Sequence, residues 1–129
     1  MSICKMKYSV LPLCLISLFF LGTLGCHHED GPPPPLAAEQ IPSEFAVGYK
    51  NAKPELKDLA DKVLKALEAK DYPSAHQAVQ DLAMSPAANK AQQTLAARAL
   101  ITITGLLQTA QAQGDEKAAN ALKVYQSTK

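Results

Sequence analysis

From residue 54 onward the apolar positions recur at helical spacing. Leu56, Leu59, Ala60, Val63, Leu64 and Leu67 fall at i, i+3, i+4, i+7, i+8 and i+11, while Lys57, Asp58, Asp61, Lys62, Lys65 and Glu68 take the other face. That alternation predicts an amphipathic helix with Pro54 in its first turn, where proline is tolerated. Asp71-Tyr72-Pro73 breaks the pattern and starts a second helix, striped by Ala75, Ala78, Val79 and Leu82 and stopped by Ser85-Pro86. A third helix over residues 89–113 carries Leu95, Ala99, Leu100, Ile103, Leu106, Leu107 and Ala110, and its middle is apolar on most sides. It is expected to be the central helix. Gly114 suits a helix C′ position and Asp115 the N-cap of a last helix, striped by Ala118, Ala121, Leu122 and Tyr125. Residues 43–51, with Phe45 and Tyr49 four apart, read either as a short extra helix or as an extension of the first one, and Gly48 weakens both versions. β-branched residues are few outside residues 101–104, so strands are not expected. The prediction for residues 43–129 is an all-α fold, a small bundle of about four helices arranged as two hairpins.

The chain before this region is of a different kind. Residues 1–25 hold Lys5 and Lys7, no acidic residue, and an apolar run over residues 10–24 broken only by Pro12, Ser17, Gly22 and Thr23. A charged start followed by an apolar stretch is the layout of an export signal. The run is about 15 residues long, whereas a bilayer-spanning helix needs roughly 20, so a permanent transmembrane helix is the weaker reading. Cleavage of this segment would remove Cys4 and Cys14 and leave Cys26 as the one thiol, with no internal disulfide.

Reading back from Cys26 gives Leu21-Gly22-Thr23-Leu24-Gly25-Cys26, with small residues three and one positions before the cysteine. This resembles the lipobox of bacterial lipoproteins. The resemblance covers residues 1–26 and implies cleavage between Gly25 and Cys26, a diacylglycerol on the Cys26 sulfur and, usually, an acyl chain on the new amino group. Thr23 stands where that family prefers leucine. An ordinary secretory signal cut at the same bond is the alternative, because Thr23-Leu24-Gly25 also satisfies the small-x-small rule. At about 0.8 kcal/mol per buried methylene, two or three acyl chains anchor stably where one is marginal. In the lipoproteins of many two-membrane bacteria, aspartate after the cysteine favours the inner membrane. Here that position is His27, which by resemblance points to the outer membrane, with the folded part facing the periplasm or the cell surface.

Residues 26–42 read as a linker. His27-His28-Glu29-Asp30-Gly31 precede Pro32, Pro33, Pro34 and Pro35, and consecutive prolines with no N–H favour a solvated polyproline II spacer of about 3.1 Å per residue. Cys26, His27, His28, Glu29 and Asp30 are metal-ligand types, but adjacent ligands on one flexible segment do not close a tetrahedron and no second cluster completes one. No metal site is expected. His76 stands alone on the second helix and reads as a surface residue.

Lys70-Asp71 followed by Ala75, Ala78 and Val79 recurs about 43 residues later as Gly114-Asp115 followed by Ala118, Ala121 and Leu122. This resembles the turn between the paired helices of tetratricopeptide-like repeats. A compact four-helix packing of the same hairpins fits as well. A folded part of about 80 residues buries only some 60% of its unfolded surface, so pairing with a second copy or another protein through the Leu/Ala faces is a reasonable expectation.

Charge and chemistry narrow the function. The chain has 13 Lys+Arg and 12 Asp+Glu, and without the two lysines of residues 1–25 the balance is 11 against 12, a net −1. Arg98 is the single arginine, no basic stripe exists for a phosphate backbone, and nucleic-acid binding is not expected. The helical region offers one histidine, no cysteine and no tryptophan, and its carboxylates alternate with lysines as on solvated faces. Catalytic residues and cofactors are not expected, and the Glu-x-x-His pairs of a di-iron bundle are missing. Two readings stay open. One is an interaction module taking a protein or peptide between its helices, with Tyr72 and Tyr125 as candidate contacts. The other is a passive structural component of the envelope.

Overall fold

The structure is a computed structural model that describes residues 31–128. Residues 1–25, the Gly25–Cys26 bond and the His27–Asp30 cluster lie outside the described residues. A 3-10 turn at Ala38–Gln40 is followed by five helices: α1 (Ile41–Gly48), α2 (Pro54–Glu68), α3 (Tyr72–Met84), α4 (Lys90–Ala112) and α5 (Glu116–Ser127). Among the described residues there is no strand, and no helix is long and apolar enough to cross a membrane.

Helices α2 to α5 follow the sequence pattern because stripe and cap agree at each end. Asn89 and Gln92 form a reciprocal capping box at the start of α4, the Asn89 side chain accepting from Gln92 N at 2.9 Å. Two junctions share one design. Lys70 has φ 55° and Gly114 φ 92°. At the first, Asp71 N donates to Ala66 O and Lys70 N to Leu67 O; at the second, Asp115 N donates to Ala110 O and Gly114 N to Gln111 O. Each is a Schellman motif that closes the preceding helix. Each aspartate then caps the next one, Asp71 accepting from Ser74 N and Asp115 from Lys117 N and Ala118 N.

The hairpins stack without closing into a ring. α3 packs between α2 and α4, α5 packs on α4 and α3, and α2 makes no contact with α5. α4 is the central helix, touching α1, α3, α5 and the 3-10 turn. One core gathers Ile41, Phe45, Tyr49, Leu56, Val63, Val79, Leu82, Ala99 and Ile103; a smaller one under the last hairpin joins Leu107, Ala110, Ala118 and Leu122.

The start of the fold departs from the sequence reading. Residues 43–51 were expected as a short helix or an extension of the next; the structure has a separate helix, α1, beginning at Ile41. Gly48 ends α1 for a packing reason, since a Cβ there would collide with the Leu95 side chain on α4. The Tyr49 hydroxyl, buried and pushed up to about 12 in pKa by that burial, donates to Gln92 O at 2.8 Å. The folded body therefore begins at Leu36, inside the stretch read as linker. Leu36 is 3% exposed. Its N–H donates to Arg98 O, its carbonyl accepts from the Thr102 hydroxyl, and Arg98 Nε donates to Pro34 O at 2.9 Å. The end of the proline run is thus strapped to α4, because apolar burial of Leu36 and these bonds outweigh the hydration that a free polyproline segment keeps.

Candidate functional site

α3 has two working faces. Ala75, Ala78, Val79 and Leu82 form the buried stripe, and a second row at Pro73, His76, Gln77, Gln80, Asp81 and Met84 lies beside it at helical spacing. α5 presents Ala121, Val124 and Tyr125 to that row, its C-cap Thr128 adds a fourth residue, and the two helices enclose a groove of about 440 Å³. Two large apolar side chains on it face solvent, Met84 at 74% and Val124 at 63% exposure. Singly exposed apolar residues are ordinary, but here two of them border one concavity.

His76 is 5% exposed, which corrects its reading as a surface residue. It sits on the boundary between the two faces of α3, so the packing of α5 covers it. Its ring meets Tyr125 edge to face, centroids 4.9 Å apart at 80°. Burial lowers its pKa below the ordinary value of 6.5, which favours the neutral imidazole. Nε2 is buried and has no hydrogen-bond partner among the described residues. A buried polar atom left without a partner costs about 1–3 kcal/mol, so a ligand group able to donate to it or accept from it would gain on contact. Among the described residues Asp81 is the one carboxylate on the groove, and it accepts from Gln77 Nε2 at 3.0 Å.

Of the two tyrosines singled out in the sequence, Tyr125 is half-buried and lines the groove. Tyr72 does not line it; it packs half-buried against the Leu107, Ala110, Ala118 and Leu122 cluster. The residues that sequence reasoning missed are His76, Met84 and Val124. Met84 and Val124 carried a signal, as apolar residues that fall off the buried stripe of their own helix, whereas nothing local marked His76 as buried.

Three other clefts are shallower in chemistry. One of about 550 Å³ between α2 and α3 is rimmed by Lys62, Lys65, Asp71 and Asp81, one of about 430 Å³ between α1 and α4 is bordered by Glu44, Val47, Leu95 and Arg98, and one of about 340 Å³ between α1 and α2 is bordered by Phe45, Tyr49, Lys57 and Asp61. None of them holds a buried polar atom without a partner. Among the described residues no three His, Cys, Asp or Glu side chains converge as a metal site requires. No family model, no curated protein and no solved structure matches the chain.

Proposed function

We propose that this protein is an exported lipoprotein, cut between Gly25 and Cys26 and anchored by lipid on Cys26, and that its helical body is a non-catalytic module. In this reading the body takes an apolar segment of another protein or peptide in the α3/α5 groove. The anchoring half is supported by the Leu21–Cys26 sequence and by the apolar run before it, which is too short to span a bilayer as a helix. The binding half is carried by one observation, the open groove bordered by Met84 and Val124 with the buried Nε2 of His76 beneath it. Apolar contact supplies most of the affinity in such grooves, and a single buried polar atom supplies register.

Two experiments test the halves separately. Mass spectrometry of the mature N-terminus is expected to show Cys26 carrying a diacylglycerol; an unmodified residue 26 removes the anchor. For the groove, a photo-crosslinking residue at Gln80 in intact cells is expected to give a discrete adduct, and Met84→Lys with Val124→Lys is expected to abolish it. Because both side chains are exposed, these substitutions leave stability within about 0.5 kcal/mol. An adduct that survives them would exclude the groove as the contact.

A further inference from the structure

The strap on α4 fixes where the tether leaves the fold. Arg98 holds the Pro34 carbonyl and Leu36 is buried beside Thr102, so the chain joins the folded body at Pro34, eight residues after Cys26. Eight residues, even fully extended, reach at most roughly 28 Å, about half of the limit for a linker running to residue 42. The tether therefore leaves the folded body from α4.

The same helix carries the longest charge-free stretch among the described residues. Between Arg98 and Asp115, residues 99–114 contain no Asp, Glu, Lys, Arg or His. Its outward stripe is Ile101, Gly105, Gln108 and Ala112, spaced i, i+4, i+7 and i+11 and all exposed. Gly105 has open space where a Cβ would stand, and among the described residues no element buries any of the four. α2, by contrast, displays Lys57, Asp58, Asp61, Lys62, Lys65 and Glu68, and α5 displays Glu116, Lys117 and Lys123. Moving charged groups toward an interface of low polarity is costly, whereas Ile, Gly, Ala and amide or hydroxyl side chains enter the head-group region cheaply.

We infer that the outward stripe of α4 rests on the surface of the bilayer that holds the tether. The inference depends on the anchoring reading above. The stripe is too weak to recruit the protein by itself; the tether supplies an effective concentration on the order of millimolar, and the stripe then sets orientation. The contact does not depend on salt, because no formal charge takes part. No residue of α4 lines the α3/α5 groove, so a partner and the membrane occupy different elements.

The test uses the chain from Cys26 onward, which contains every described residue. Cys26 is its only thiol, so maleimide lipid in phosphatidylcholine vesicles attaches it at the natural point. The chain has no tryptophan, and Ile101→Trp, Gln108→Trp and Lys57→Trp each place a single reporter at an exposed position. With brominated acyl chains, the reporters at 101 and 108 are expected to lose roughly half or more of their emission on coupling, since an interfacial face sits about 5–10 Å into the head-group boundary. The reporter at 57 is expected to stay unquenched, and so are all three in uncoupled protein mixed with the same vesicles. Equal quenching at 57 and at 101 and 108, or none at 101 and 108, overturns the inference. Circular dichroism of each variant verifies the fold, and agreement between 101 and 108 guards against a local disturbance at either. Chemical coupling supplies the attachment, so the outcome is independent of whether the cell lipidates Cys26.

Discussion

His76 shows how one side chain can couple burial to pH. Its pKa is lowered by desolvation in the folded state, while an unfolded chain titrates near 6.5. Between those two values the unfolded state binds more protons than the native one, so the contribution of this residue is fully present above pH 6.5 and is lost as pH falls through the folded value. Urea midpoints are expected to decline below that point in the parent protein, and His76→Leu is expected to flatten the decline; an unchanged slope in the variant would place the titration elsewhere. The two helix junctions offer a second comparison between single residues. Gly114 occupies a positive φ at no steric cost, and Gly114→Ala is expected to lose about 1 kcal/mol. Lys70 holds the corresponding place with a side chain in the left-handed region, so Lys70→Gly is expected to be neutral or to gain up to about 1 kcal/mol. Denaturant titration of both variants checks the opposite signs.

At the level of elements, α2 to α5 were legible because several independent signals coincide. For α3 the aspartate cap, the proline in the first turn, the four-residue stripe and the Ser85-Pro86 stop all mark the same ends. α1 was only half legible. Phe45 and Tyr49 carry the spacing, but the reason for Gly48 is Leu95, a residue 47 positions away that no local pattern can supply. The strap was not legible at all. Four prolines dominate residues 32–35, and Leu36 becomes a core residue only when Arg98 and Thr102 are brought beside it by the folding of α4. Leu36→Ala is accordingly expected to cost about 2–3 kcal/mol, near the lower end for a buried leucine because the site lies at the edge of the core. A truncation beginning at residue 43, the boundary that hydropathy alone would choose, removes Leu36 and Ile41 together and is expected to melt well below the chain from Cys26. The groove had the same limitation: its two apolar borders stood out in the sequence as residues off their stripes, but only the crossing of α3 and α5 shows that they share a concavity.

For the body as a whole, the open stacking raises the question of what ends the stack. With Ala75, Ala78 and Val79 of α3 aligned on Ala118, Ala121 and Leu122 of α5, the half-buried Gln80 and Ala83 of α3 correspond to Lys123 and Gln126 of α5, both exposed. The last helix thus has polar residues where a further hairpin would need apolar ones, as terminal units of repeat proteins do. Lys123→Val with Gln126→Leu is expected to produce concentration-dependent association in sedimentation velocity, and a variant that sediments like the parent would show that α5 is not the terminating face. The strap has a thermodynamic side as well. Proline already fixes φ and restricts the residue before it, so residues 32–35 surrender little freedom when they are laid along α4. A clasp of one guanidinium, one hydroxyl and one leucine is sufficient only because the ribbon it closes upon is stiff beforehand. Glycines in place of those prolines would leave every contact partner intact and yet undo the fastening through entropy alone.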